Sequence, residues 1–381
     1  MGETIDVRAG EDFDAKTVEC YLRERVDGLP EGELEVRQFP SGASNLTYLL
    51  KIEDWEGVLR RPPLGPVPPK AHDMGRESGV LAKLNAVFPL APKPYFFCGD
   101  ESVIGAPFYV MERRTGVVLD DSFPKAIEPD EELCHGVSRA VADTLVELHA
   151  VDLEASGLGD LGKLEGFLQR QTEGWISRYD RAKTDEIQEV GPLTDWLATN
   201  VPESPEPTVI HNDYKLNNLV LDPDDLTEVR AVLDWEMATV GDPLFDLAVS
   251  LSYWVEPGDP EDLKAVMLTV TATPGFMTRK EIIDRYAEES GRDLSEMHWY
   301  VVFGYFKLAG ILQQIFARWK NGQTKDERFA TFDERVRTLI LHAENLSRTG
   351  DVSWSGASSA SSAPARWAPA SSNSQPSPAT A

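Results

Sequence analysis

The sequence predicts an α+β chain of two lobes, a small antiparallel sheet with one main helix followed by a larger, mostly helical lobe, and then a disordered tail. Three observations predict it. Up to residue 112 the apolar residues come in short alternating or β-branched runs cut by Gly and Pro, as in strands. From residue 131 they recur at helical spacing, beginning with Leu133, Val137, Val141, Leu145 and Leu148. From 352 to 381, 22 of 30 residues are Ser, Ala or Pro, with Arg366 as the one charge, a composition that cannot bury a core. The expected divisions are 1–112, 113–350 and 351–381.

Composition narrows the function classes. Apolar residues make up 41 % of the 381, enough for a sizeable core. The net charge of −27 argues against nucleic acid or an anionic membrane as partner, because phosphate backbones demand a basic face. Such acidity serves solubility or favours a cationic substrate. Cys20, Cys98 and Cys134 are far apart and in no metal spacing, so they read as reduced core thiols of a cytoplasmic protein. The first residues, MGETIDVRAGEDFD, lack the basic-then-apolar order of a signal peptide. The richest apolar run, residues 299–312, is broken by Lys307 and falls short of membrane length. Oligomeric state leaves no signature.

Taken in order, residues 14–25 form a short amphipathic helix on Val18, Tyr21 and Leu22. Residues 34–39 alternate as a first strand. SGASNLTYLLKI, residues 41–52, places small and hydroxyl residues before an alternating run, a hairpin whose amides can approach a polyphosphate. Val58, Leu59 and Arg60 form a strand ended by Pro62-Pro63, and a proline-rich loop runs to Pro69. Residues 72–86 are helical, with Val80, Leu81 and Leu84 on one side. Residues 94–99 and 107–112 are two more strands, the second leading into the lobe junction. Helices follow over 131–151, 164–181 and 192–200. Beyond the central stretch, helices are expected over 247–254, 278–289, 294–320 and 327–346. Tyr253, Trp254, Lys307, Gln313 and Arg318 are aromatic or polar positions on this wall, where spacing alone does not separate core from pocket.

The central stretch is VIHNDYKLNNLVLDPDDLTEVRAVLDWE, residues 209–236. It reads as strand, polar loop, strand, turn and strand. Asp213 and Asn218 lie on the loop before the hairpin and Asp234 at its far end, so folding can bring all three to one point. Phosphoryl transfer from a nucleotide asks for such a set: one carboxylate to orient an attacking hydroxyl and take its proton, and hard oxygen ligands for magnesium. His-x-Asp-x-x-x-x-Asn followed by a strand-borne Asp is the protein-kinase arrangement, here His211, Asp213, Asn218 and Asp234. Lys215 stands two residues after the base. Taken alone, His211 fits a hydrogen-bonded core histidine.

HNDYKLNNLVLD together with VLDWEMATVGDPLFDLA resembles the catalytic segment of the aminoglycoside phosphotransferase and choline kinase superfamily, which shares the protein-kinase fold. Within it the chain looks most like the branch containing the kinase-like domain of acyl-CoA dehydrogenase family members ten and eleven, over roughly residues 36–347. The resemblance implies ATP and Mg2+ as cofactors. It implies Asp213 as base, Lys215 beside the transferred phosphate, Asn218 and Asp234 as metal ligands, and Asp242 and Asp246 as residues holding the loop. It puts Ser44 and Asn45 at the nucleotide phosphates. In kinase register Val58 faces adenine and Arg60 the α and β phosphates, with Arg61 pointing away; Arg replaces the usual Lys. Glu77, 17 residues on, is its expected ion-pair partner. Trp235-Glu236 replaces the protein-kinase Phe-Gly, which speaks for a small-molecule hydroxyl acceptor and leaves the role of Glu236 open. The branch implies a hydroxyacyl-CoA or other hydroxylated metabolite, whereas bulk acidity suits an aminoglycoside or amino-alcohol. A catalytically silent nucleotide-binding scaffold and a protein kinase are the rival readings.

Overall fold

The computed structural model describes residues 3–40, 45–64, 72–163, 165–324, 326–350 and 352. Ser44, proline-rich residues 65–69 and the tail, Val352 excepted, lie outside them. The first lobe is built from α1 (Ala15–Arg23), β1 (Glu35–Gln38), β2 (Leu46–Ile52), β3 (Trp55–Arg61), α2 (Met74–Leu84), β4 (Pro94–Cys98) and β5 (Phe108–Glu112). The strands form one antiparallel sheet in the order β1-β2-β3-β5-β4. Strand alternation gives this sheet two different faces. Leu59, Phe108, Val110, Tyr48 and Leu50 pack with Val18 and Leu22 of α1. Val58, Tyr109 and Met111 turn to the other side, to Met74, Leu81 and Leu84 of α2. Arg60 and Arg61, adjacent on β3, therefore face opposite ways. Arg61 donates to the Tyr48 hydroxyl and the Glu11 carbonyl on the α1 side. Asp73 caps α2 through the Arg76 amide, and His72, with φ +58°, stands just before the helix.

The second lobe begins with α3 (Glu131–His149), α4 (Leu153–Ser156), α5 (Phe167–Ala182) and α6 (Val190–Thr199). Four short strands follow: β6 (Thr208–Ile210), β7 (Leu219–Leu221), β8 (Val229–Val232) and β9 (Thr239–Gly241). They pair antiparallel as β6-β9 and β7-β8. The chain closes with α7 (Pro243–Ser252), α8 (Glu261–Val266), α9 (Arg279–Ser290), α10 (Met297–Lys320) and α11 (Phe332–Thr349). α10 is the axis of this lobe and packs against α5, α7 and α11. Just past β5, Val117 exchanges backbone hydrogen bonds with Leu221 of β7, at 2.9 and 2.8 Å. Gly116 is required there, because a Cβ would collide with the Leu221 carbonyl oxygen.

Several sequence expectations need correction. β9 and α8 were not foreseen, since three and six residues give no periodicity to read. The helix expected over 247–254 starts earlier, at Pro243, and ends at Ser252, so Tyr253 and Trp254 leave it in different directions. Cys20 is exposed on α1 rather than a core thiol; Cys98 and Cys134 are buried. α10 as a whole is long and apolar enough to cross a bilayer, more than the run read from the sequence, but 72 % of its most apolar window is buried in the lobe.

A Cβ on Gly304 of α10 would lie 2.5 Å from the Ala248 carbonyl oxygen on α7. Gly304→Ala must therefore push α7 away from α10. We expect a loss of about 1–3 kcal/mol, the usual scale for overpacking, read from the urea midpoint; an unchanged midpoint would contradict this packing.

Candidate active site

The loop after β6 is held from below by a buried carboxylate. Asp246 of α7, with no solvent exposure, accepts the His211 amide at 2.7 Å and the Asn212 amide at 2.6 Å. His149 of α3 donates from Nε2 at 3.2 Å, and its Nδ1 meets the Tyr286 hydroxyl at 2.7 Å. Burial alone would raise the Asp246 pKa, but the His149 hydrogen bond and charge and the His211 amide outweigh it and leave it below the ordinary carboxylate value. Asp242 caps α7 and accepts the Tyr300 hydroxyl at 2.8 Å. His211 is fully buried and donates from Nε2 to the Leu233 carbonyl at 2.8 Å, while Nδ1 accepts the Asp213 amide at 3.3 Å. It ties the loop to the end of β8 and is architectural.

Asp213, Asn218 and Asp234 converge. The Asn218 amide nitrogen donates to the Asp213 carbonyl at 2.9 Å and reaches its Oδ2 at 3.3 Å. The Leu233 amide donates to the Asn218 carbonyl at 2.8 Å, which sets Asp234 beside it. Lys215 Nζ is 3.0 Å from Asp213 Oδ2, and the Tyr253 hydroxyl is 3.4 Å from Oδ1. Burial acts to lower the Lys215 pKa, yet Tyr253 and Asp213 hold it above the ordinary lysine value, so it is a permanent cation. Trp254, by contrast, is buried and donates to the Met277 carbonyl.

Across the cleft, Arg60 reaches both lobes. Its Nη1 is 2.5 Å from Glu77 Oε1 on α2 and its Nη2 is 2.9 Å from Asp234 Oδ1. Burial would raise the Asp234 pKa, but the Arg60 guanidinium overrides it and keeps the carboxyl below its usual range. Asp234 adopts φ +69°, a left-handed turn that swings its side chain out of the β8 line into the cleft. Asn45, at the start of β2, is buried and donates to Glu236 Oε2 at 2.7 Å; its Oδ1 lies 2.9 Å from His72 Nδ1. Glu236, whose role the sequence left open, is thus a contact between the first strand hairpin and the loop after Asp234.

Magnesium needs hard oxygens. With its nitrogen turned to Asp213, Asn218 presents the amide oxygen, and Asp234 presents a carboxylate kept ionised. Two protein oxygens suit a cation that keeps its remaining places for phosphate and water. Among the described residues no three His, Cys, Asp or Glu side chains form a metal cluster.

Several residues were missed or left unassigned in the sequence. Arg76 donates to the Glu236 carbonyl at 3.0 Å and to that of Ala238, clamping α2 onto the loop; its one signal was its place beside Glu77. Lys307 Nζ donates to the Asn212 carbonyl at 3.0 Å and to Asn212 Oδ1 at 2.7 Å. Asp120 and Asn217, joined at 2.9 Å, line a pocket with Lys215, Tyr253, Met267 and Leu268. Nothing local marked them. Gln313 is spent on the Ala182 carbonyl, at 2.9 Å.

Comparison with known proteins bears on the family and the fold. The model of the phosphotransferase enzyme family matches residues 35–276. The Gallus gallus acyl-CoA dehydrogenase family member 11 is 34 % identical over 353 residues, 91 % of this chain and 45 % of that protein. The chain thus spans about half the length of the curated relatives it matches. A Ralstonia eutropha structure described as an aminoglycoside phosphotransferase has a TM-score of 0.75 at 31 % identity, covering 88 % of this chain and 98 % of the other. A thermostable mutant of aminoglycoside phosphotransferase APH(4)-Ia, in ternary complex with AMP-PNP and hygromycin B, shares the fold with a TM-score of 0.56 at 17 % identity, covering 88 % of this chain and all of the other. On the family match and the identities, the chain belongs to the phosphotransferase enzyme family, on the bilobal fold of the small-molecule kinases.

Proposed function

We propose that the protein is an ATP- and Mg2+-dependent kinase that moves the γ-phosphoryl group onto a hydroxyl of a small metabolite. The observation that carries this is the convergence of Asp213, Asn218 and Asp234 opposite the Arg60–Glu77 pair. In this reading Asp213 Oδ accepts the proton of the acceptor hydroxyl as the oxygen attacks phosphorus and the bond to the β-phosphate oxygen breaks. Lys215 and Arg60 offset charge on the phosphates, Asn45 meets them from β2, and Glu77 orients Arg60. Magnesium, held by Asn218 and Asp234, would neutralise the β and γ oxygens. Most of the rate then comes from positioning and preorganised charge. Binding of AMP-PNP by the APH(4)-Ia structure that shares the fold supports ATP as donor. An intact acid, amide and metal-side carboxylate speaks against a silent scaffold. An ATP-supplied cytoplasm suits the reading.

For the acceptor, the pocket beside Lys215 and Tyr253 is informative. Its lining contains one carboxylate, Asp120, already engaged by the Asn217 amide, and one cation, Lys215. Met267 and Leu268 add apolar surface, Leu268 being 67 % exposed. A polycationic antibiotic would ask for several unengaged carboxylates. The pocket supports a neutral or anionic hydroxylated metabolite with an apolar body, such as a hydroxyacyl thioester, over an aminoglycoside or amino-alcohol.

Three outcomes test this. Asp213→Ala should lower transfer by about 10²–10⁴-fold, the range for a general base, while Mg-ATP affinity stays within a few-fold; full turnover would defeat the assignment. Asp234→Ala should abolish the difference between ATP affinities measured calorimetrically with and without Mg2+, and a retained metal effect would remove Asp234 from the ligand set. In a mass-spectrometric screen for phosphate gain, hydroxyacyl thioesters should be modified and aminoglycosides not; the reverse would favour the amino-sugar reading.

A further inference from the structure

Lys307 sits in the middle of α10, is 2 % exposed, and carries no partner on its own helix among the described contacts. Burying an ammonium is costly unless it is paired or fully hydrogen-bonded. Here it lies beneath the loop, 5.0 Å from the Phe245 ring centroid and 5.8 Å from that of Trp175, so the desolvation is partly offset by two aromatic faces. Both its oxygen contacts are to one residue, Asn212, through the carbonyl and the side-chain Oδ1. Asn212 adopts φ +68°, a left-handed conformation disfavoured for residues with a Cβ, and it directly precedes Asp213.

We propose that Lys307 is a positioning residue for phosphoryl transfer: by chelating the carbonyl and Oδ1 of Asn212 it locks the left-handed turn that aims Asp213. This rests on the phosphotransferase reading of the site. Asp246 accepts the amides of His211 and Asn212, so Asn212 is gripped by a buried anion through its donor and by a buried cation through its two acceptors. The Asp213 carboxylate itself is met by Asn218, Lys215 and Tyr253, and the two grips act on the backbone from which it projects. Asp246 sets where the backbone lies, and Lys307 sets the rotation at Asn212 that follows.

Burial pushes the Lys307 pKa down to about 8, against Asp213 and Asp246, which raise it, while Lys215 and Arg178 act with burial. These groups come from the loop, from α7 and from α5. α11 lies on the opposite side of α10, where His342 meets Tyr305, and α6 meets α10 at Trp299, about two turns away. Above pH 8 the amine still donates hydrogen bonds but loses the charge that makes them strong. The grip on Asn212 therefore weakens as pH rises through about 8.

The experiment uses the full chain with Mg-ATP and water as acceptor, reading kcat, KM and amide exchange of residues 208–214. Lys307→Met should lower kcat at least tenfold with KM for ATP within twofold, speed exchange in that segment, and abolish the alkaline limb near pH 8. Asn212→Asp gives the ammonium a full counter-charge and should move that limb upward by about a unit or more. A Lys307→Met enzyme with wild-type kcat and exchange, or a limb unmoved in Asn212→Asp, overturns the proposal. If Lys307→Met does not fold, Asn212→Asp decides. If the wild-type chain hydrolyses no ATP with water, the phosphotransferase reading is decided by the metabolite screen, and the grip by exchange alone: faster exchange in Lys307→Met upholds it, and unchanged exchange refutes it.

Discussion

The active loop depends on one buried carboxylate. Asp246 has no water to solvate it, so it persists as an anion only because His149 and two backbone amides satisfy it. Those amides belong to His211 and Asn212, the two residues before Asp213. The same charge therefore joins α3, α7 and the loop, and the Tyr286 hydroxyl beyond His149 brings in α9. Take the carboxylate away and two amides and a histidine nitrogen are left buried without a partner, a larger penalty than the loss of any exposed contact nearby. Since α7 is fixed against α10 at Gly304, the position of Asp246 is set by helix packing rather than by the loop.

The two lobes are joined by a different device. Arg60 lies on the α2 side of the sheet because strand side chains alternate, and from there its guanidinium fork reaches Glu77 and Asp234 together. Arg76 and Asn45 add contacts to the same segment, residues 234–238. Buried ion pairs are poor evidence of stability, since desolvation consumes most of their attraction. Their value here is directional: Arg60 holds Asp234 ionised and oriented, and Arg76 keeps α2 close enough for Glu77 to reach Arg60.

A chain of net charge −27 also has a cleft rich in cations. Arg60, Arg76 and Lys215 surround the acidic and amide groups, with Lys307 beneath. Screening confines exposed charges to about 10 Å, so the acidic surface has little influence on a half-buried site whose nearest neighbours are positive. The bulk charge therefore bears on solubility and the local charge on phosphate.

The order of lobes, the helix-rich second half and the central triad were legible from local pattern, because periodicity and the spacing of Asp213, Asn218 and Asp234 are properties of neighbouring residues. So was the opposite facing of Arg60 and Arg61, since alternation needs only the strand's register. β9, the exposure of Cys20 and the partition of Tyr253 from Trp254 were not legible; each depends on where a short segment meets distant chain. Lys307 is the plainest case. In sequence it is one charge interrupting an apolar run, and its partner lies 95 residues away. What a buried polar group contributes is decided by which other group satisfies it, and across such separations only the packed fold brings the two together.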